Sequence, residues 1–305
     1  MQPKEKLYKN FIVNKKQKMK KNIALLLGLV LGLGFVSCSS DDDDDESING
    51  EGKYLAEKLI TRYDWKDGKR SSEGKLYEIN RYNENGDFVG GDRCTYGYRV
   101  DVLYDDKGDL SEEISYDLND LNSIIDRWKI ERKYTDSGVV VSSYQYNWKN
   151  KLVLTYIREF SKESDSDYKL TKWTHIIDSI GKNHGQVYTY SYSGNTRTIE
   201  VTNLDDGSFS EKIVHELDSH GNATKTTSTH AGGWISTMET VYEYDSNGLI
   251  VKKTGPKYDN GTIYGYVEYT YNDDGTTRKE HHVDRMNTSS EEEYDLEYTY
   301  KYKKK

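Results

Sequence analysis

One stretch constrains this chain more than any other: Tyr242-Glu243-Tyr244-Asp245-Ser246-Asn247-Gly248-Leu249-Ile250. Tyr242 and Tyr244 are two apart, so on an extended strand they share a face and Glu243 points the other way. Asp245 suits the first position of a type I turn, because its carboxylate can accept a backbone N–H two residues on. Gly248 suits a left-handed position that closes a hairpin with a bulge. Aliphatic residues then start the next strand. Close variants stand at Tyr104-Asp105-Asp106-Lys107-Gly108, Tyr271-Asn272-Asp273-Asp274-Gly275 and, one residue shorter, Tyr258-Asp259-Asn260-Gly261. Weaker copies run over Tyr82–Gly86, Thr135–Gly138, Leu204–Gly207 and Asp218–Gly221.

Second turns lie between copies, at Ser193-Gly194-Asn195 and at His230-Ala231-Gly232-Gly233. The repeat is therefore a loose array of hairpins with a period of roughly 20 to 30 residues. The pattern predicts an all-β, antiparallel meander of roughly sixteen strands, an open curled sheet or half-barrel, over residues 53–305. A membrane barrel has the same strand count but needs a lipid-facing apolar band. Thr196-Arg197-Thr198-Ile199-Glu200-Val201-Thr202 lacks one. Tyr54 to Tyr63 carries Leu55, Ala56 and Leu59 at helix-like spacing, yet it reads as the first strand.

The N-terminus reads as an address. Met19-Lys20-Lys21 precedes an apolar run from Ile23 to Val36, the layout of a secretory signal peptide. At about 14 residues the run is too short to span a bilayer comfortably. It ends at Phe35-Val36-Ser37-Cys38, a lipobox-like sequence in which Cys38 becomes the lipidated N-terminus, with Phe35 where Leu is usual. Residues 1–18 then read as an extension of the gene model, 19–37 as the signal peptide, and 38–52 as an acidic linker holding Asp41 to Asp45 and Glu46. Five adjacent Asp lack the spacing and turn glycine of a calcium loop.

With these residues in hand, Tyr-Asp-x-x-Gly-x-Leu resembles the YD repeat of RHS-type bacterial surface proteins. Joined to a lipoprotein N-terminus, it is similar to small YD-repeat lipoproteins of Bacteroidota-type bacteria, some of which have an open, porin-like sheet. The similarity runs from Tyr77 to Tyr300 in about ten degenerate copies. It implies an architecture and an outer-membrane address facing the cell exterior, for which the acidic run after Cys38 resembles an export signal. It implies no activity. The chain is too short for the closed shell of large RHS proteins and has no separate toxin-like segment, so that part of the family picture does not transfer.

Composition narrows function. Eight of the 43 basic residues and one of the 52 acidic residues precede Cys38, so beyond it the net charge falls from -9 to -16. That excess argues against nucleic acid and against adsorption to anionic lipid. The chain has 28 Tyr against 5 Phe, so its aromatic surface is mostly rings with a polar end, suited to half-wet sheet faces. Tyr96/Tyr98, Tyr144/Tyr146, Tyr188/Tyr190/Tyr192, Tyr269/Tyr271 and Tyr298/Tyr300/Tyr302 each read as a ladder on one strand face. Such ladders are either cross-strand packing or a platform for glycans or peptides.

Trp65 and Trp148 sit in matching turns, Asp64-Trp65-Lys66-Asp67-Gly68 and Asn147-Trp148-Lys149-Asn150. Each is either an aromatic contact for a sugar ring or partner, or a ring folded back over a sheet edge. Cys94 has no partner cysteine once Cys38 is lipidated and reads as a small packed residue. The seven His are scattered without zinc-like spacing, and no phosphate loop, nucleophile elbow or metalloprotease motif is present. The expectation is a non-enzymatic surface lipoprotein with no metal and no cofactor. It would bind or scaffold a glycan or an envelope protein through its Tyr-rich sheet. An accessory envelope protein without a ligand is the alternative, and a glycan-acting hydrolase a more distant one. In the native cell, Cys38→Ala should abolish labelling by a clickable fatty acid; retained labelling would refute the lipobox reading.

Overall fold

The computed structural model describes residues 53–304 except 148, 165–166, 180–181, 259–260 and 288–289. Cys38, the signal peptide, the acidic linker and Trp148 therefore lie outside the described residues. The described chain is all β. Its first strands are β1 (Lys53–Lys66), β2 (Lys69–Arg70), β3 (Lys75–Tyr82), β4 (Phe88–Arg93), β5 (Tyr98–Tyr104) and β6 (Leu110–Asp117). There follow β7 (Ile124–Thr135), β8 (Gly138–Tyr146), β9 (Leu152–Lys162), β10 (Tyr168–Ser179), β11 (Lys182–Ser193) and β12 (Thr196–Asn203). The last are β13 (Phe209–Leu217), β14 (Ala223–His230), β15 (Ile235–Tyr244), β16 (Ile250–Tyr258), β17 (Gly265–Tyr271), β18 (Thr277–Asn287) and β19 (Ser290–Lys304). Tyr54 to Tyr63 is strand, as its reading required.

From β3 to β19 each strand pairs antiparallel with the next, and the meander does not stay open. β1 pairs with β3 on one edge and with β19 on the other, from Lys53↔Lys304 to Asp64↔Tyr294. β1 and β3–β19 thus close an 18-stranded barrel, and β2 is a two-residue return on the end of β1. The expected open sheet or half-barrel is corrected on this point. Closure has a local contribution. The register slips by one residue just before the turns that follow Tyr82, Tyr104, Leu217, Tyr244 and Tyr271. Each slip is a bulge that bends its strand and adds twist. Further slips stand at the opposite rim, at Ser115/Tyr116, Ser143/Tyr144 and Val201/Thr202, and together such bends curl the sheet until its two edges meet.

The turns themselves are built alike. At Asp245, the backbone N–H bonds Leu249 O at 2.9 Å, Gly248 N–H bonds Asp245 O at 3.2 Å, and Oδ1 accepts from Asn247 and Leu249 N–H. Asn83, Asp105 and Asp218 repeat the arrangement on the same rim. Gly248 takes φ 79°, where a side chain would be strained. Meander order puts these turns on one rim, here termed lower. The copy at Leu204–Gly207 falls on the opposite, upper rim, where Tyr258 and Gly261 also lie.

Along this rim several tyrosines tie their strand to the start of the one before. Tyr104 Oη donates to Phe88 O at 2.6 Å, Tyr271 Oη to Ile250 O at 2.6 Å, and Tyr300 Oη to Thr277 O at 2.8 Å. Each acceptor opens the preceding strand, directly after its turn.

Strand register divides all side chains between two faces. Val100, Val102, Val139, Val141, Ile199 and Val201 share one face and are each at most 8% exposed. A single-layer barrel has no second layer to cover them, so this is the concave face, where side chains converge. The same face carries Tyr82, Tyr104, Tyr190, Tyr269 and Tyr298, and burial is the largest cause raising each hydroxyl. The convex face carries directly opposed ion pairs. Lys252–Glu268 lie 2.7 Å apart, Lys301–Glu57 3.2 Å, Lys172–Glu159 3.3 Å and Lys225–Glu216 3.5 Å. The Tyr188, Tyr269 and Tyr298 ladders face inward and Tyr144/Tyr146 outward. Tyr96 is in a turn, 69% exposed, and forms no ladder.

Asp92 joins three outer-face strands, accepting from Arg81 at 2.5 Å and from Arg99 at 2.7 Å. Burial pushes its carboxyl up, but the two guanidinium contacts outweigh that and hold it at about 2. Its folded value is depressed, so its stabilisation is present above about pH 4 and fades toward pH 2. Denaturant titrations should show that Asp92→Asn flattens the loss of stability between those pH values; an unchanged slope would refute the assignment. Tyr104→Phe should lower unfolding free energy by about 1 kcal/mol, the net value of one hydrogen bond. Unchanged stability would show that the latch carries nothing.

Candidate functional site

Cross-strand register assembles a row of rings on the inner wall of β7 to β11. Arg158 of β9 faces Trp173 of β10, which faces Tyr188 of β11; one position higher, Tyr156 faces His175. Trp173 and Tyr188 stack at 4.8 Å between centroids with 21° between planes. Tyr156 stacks on His175 at 4.8 Å and lies 6.0 Å from Trp173. Trp128 of β7 stacks on Tyr156 at 5.7 Å although β8 runs between their strands. The residue of β8 facing Tyr156 is Ser143, small enough to let the rings meet over it. Trp128, Tyr156, Trp173 and Tyr188 thus form one arc of half-buried rings.

Polar contacts fix the arc. Trp128 Nε1 donates to Asp126 Oδ2 at 2.6 Å, and Gln145 Nε2 donates to the other oxygen at 3.1 Å. Tyr188 Oη donates to Gln186 Oε1 at 2.7 Å. Burial, with Glu211 adding to it, raises the Tyr188 hydroxyl, so it stays a donor at neutral pH. The Trp173 indole N–H is buried without a hydrogen-bond partner. Neighbouring rings cover much of each other's faces, so the row presents ring edges and the free faces of its end rings to the lumen, with donors and acceptors beside them, a surface that can receive a sugar.

The two tryptophans singled out from sequence are elsewhere. Trp148 is outside the described residues. Trp65 is half-buried on the outer wall, edge-on to His281 at 5.4 Å, the geometry of a ring folded back over the sheet. The return through β2 helps hold it: Arg70 lies over the Tyr63 ring at 3.8 Å and pairs with Glu297 at 2.7 Å. Asp295 is wholly buried beside them, with Lys279 Nζ at 3.1 Å, Arg70 Nε at 3.3 Å and a 2.8 Å hydrogen bond to His281. Sequence reasoning missed Trp128 and Trp173. The available signal was their inner-face parity with Tyr156 and Tyr188, which only pairing registers expose.

A recess of about 530 Å³ opens at the lower rim beside Asp218, His220, Tyr242 and Tyr244. The Asp218 carboxylate there is already engaged, accepting Tyr244 Oη at 2.5 Å and the N–H groups of His220 and Asn222 at 2.9 Å. Burial also pushes the half-buried Cys94 thiol up, away from thiolate. Among the described residues no three His, Cys, Asp or Glu converge as metal ligands.

No protein-family model and no curated protein matches the chain. Solved structures do. A porin-like protein from Bacteroides vulgatus aligns with 14% identity and a TM-score of 0.38, over 80% of this chain and 98% of that one. A porin-like protein from Bacteroides uniformis aligns with 12% identity and a TM-score of 0.31, over 81% and 96%. A chain of the TcdB2-TccC3-Cdc42 structure aligns with 12% identity and a TM-score of 0.24, over 75% of this chain and 15% of that one.

Proposed function

We propose that this chain is a bacterial envelope lipoprotein, tethered to the outer membrane through Cys38 and facing the cell exterior. In this reading its barrel stands in water and binds a saccharide along the inner aromatic arc. The observation that carries the binding reading is the contiguous row of Trp128, Tyr156, Trp173 and Tyr188 on a concave wall. The row spans the five strands β7 to β11, longer than one sugar unit, which favours an oligosaccharide over a monosaccharide.

The outer wall supports the tether over insertion. A lipid-spanning barrel needs an apolar band about 25 Å tall. Here the outer positions carry Glu200 against Lys212, Glu216 against Lys225, and Lys252 against Glu268. Burying such charges in hydrocarbon would cost several kcal/mol, whereas a lipidated Cys38 needs no apolar wall. The acidic surplus beyond Cys38 keeps nucleic acid off the list of partners.

A second reading, a structural envelope protein without a ligand, draws on the half-burial of the rings and on the Asp126 bond that locks Trp128. Titration with a panel of oligosaccharides, read by tryptophan fluorescence, separates the two. Trp128→Ala and Trp173→Ala should each weaken the responding sugar at least about fivefold, from roughly 1 kcal/mol per stacked ring. Absence of any response in the unaltered chain would favour the structural reading.

A further inference from the structure

Beside the aromatic arc, in the cross-strand row of Trp173 and Tyr188, the inner wall holds arginines with no carboxylate partner among the described residues. Arg158 is 7% exposed. Its Nε is sealed from water and has no hydrogen-bond partner. Its contacts are ring faces, Tyr156 at 5.8 Å and Trp173 at 6.0 Å, near the outer limit of cation–π range. Arg132, on the same row across Val141, and Arg197 of β12 also keep a buried Nε without a partner. Arg132 donates to Leu110 O, and Arg197 stands opposite Tyr192 and His215. Among the described residues no carboxylate lies within ion-pair distance of these three guanidinium groups. Burial, with Arg197 adding to it, lowers His215 to about 4, so it contributes no charge at neutral pH.

Other cations of the barrel are treated differently. On the inner face Arg93 pairs with Glu78 at 3.0 Å and His282 with Glu280 at 2.8 Å. On the outer face Lys252, Lys225 and Lys172 each face a Glu. A buried guanidinium without a counter-charge is costly to the folded state. Its donors remain available to an anion, and an arginine fork suits a carboxylate, sulfate or phosphate group. Burial holds the Tyr190 hydroxyl, flanked by Arg158 and Arg197, at about 12, so it too is a donor.

We infer that Arg158 and Arg197, with Arg132, form an anion site inside the barrel, and that the ligand of the aromatic arc is an acidic oligosaccharide. This rests on the saccharide reading above and names its class. Rings contact the sugar while the arginines beside them take a uronate, sulfate ester or phosphate ester.

The test uses the purified full-length chain in two arms. The first needs no sugar. Arg158→Met should raise the melting temperature of the unliganded protein by about 2–4 °C, since it removes an unpaired buried charge. Inorganic sulfate or phosphate should raise the melting temperature of the unaltered chain but not of Arg158→Gln. A structural arginine would instead give a lower melting temperature in both variants and no anion effect, overturning the site. The second arm titrates oligosaccharides of one backbone in neutral, uronate, sulfated and phosphorylated forms. At least one acidic form should bind about tenfold or more tightly than the neutral one, with the preference lost in Arg158→Gln and reduced in Arg197→Gln. The form preferred identifies the acid. Equal binding of neutral and acidic forms would overturn the anion site and leave the aromatic reading standing. No saccharide binding, with the inorganic anion effect intact, would overturn the saccharide class while retaining the arginine site.

Discussion

The fold depends on one small contact, repeated: a tyrosine hydroxyl at the lower rim bonding to the start of the preceding strand. Tyr104 to Phe88 O, Tyr271 to Ile250 O and Tyr300 to Thr277 O are the plainest cases. Tyr192 to Leu170 O at 3.0 Å extends it to a hairpin with a shorter turn. Tyrosine serves at these positions because the ring fills the inner face while the hydroxyl reaches a backbone carbonyl of the strand before. Phenylalanine would meet the first demand and not the second. Aspartate or asparagine follows because its side chain closes the turn over two backbone N–H groups, and glycine ends it because the chain must pass through positive φ.

Parity does the rest. Each bulge advances the register by one residue, yet both strands of every pair keep the same inward face around the ring. The last pairing, β1 with β19, meets the first without conflict. Opposed Lys–Glu pairs thereby face outward, while the inner face takes most of the buried aliphatic residues together with rings and several arginines. A barrel of this strand number is too wide for side chains to fill. Its inner wall is therefore a lined surface, and the arc from Trp128 to Tyr188 belongs to that lining.

Much of this was legible in the sequence. Tyr244-Asp245-Ser246-Asn247-Gly248 spelled both the strand face and the turn chemistry, and Tyr54 to Tyr63 resolved to strand despite its helix-like content. Closure was not legible, because the pairing of Lys53 with Lys304 is set by accumulated bend rather than by any local residue. Nor was the rim: Leu204–Gly207 spells the same kind of turn as Asp245 but lies at the opposite end. The tryptophans show the same limit. Turn position drew attention to Trp65 and Trp148, whereas Trp128 and Trp173 meet only through registers on four strands. Arg158 gave no signal at all, since an arginine in a strand is ordinary until its neighbours prove to be Val141 and Trp173.

The account stands or falls on which face is inside, and adjacent threonines on β14 test it. By register Thr226 points inward with His215 and Thr227 outward with Val214. Single cysteines would be placed at each in a background of Cys38→Ala and Cys94→Ser, then treated with a small maleimide and with a polymer-bearing one. The account predicts that Thr227→Cys reacts with both and Thr226→Cys with the small reagent alone. Equal reaction of Thr226→Cys with the polymer reagent would contradict an inward face, and with it the placement of the aromatic arc inside the barrel.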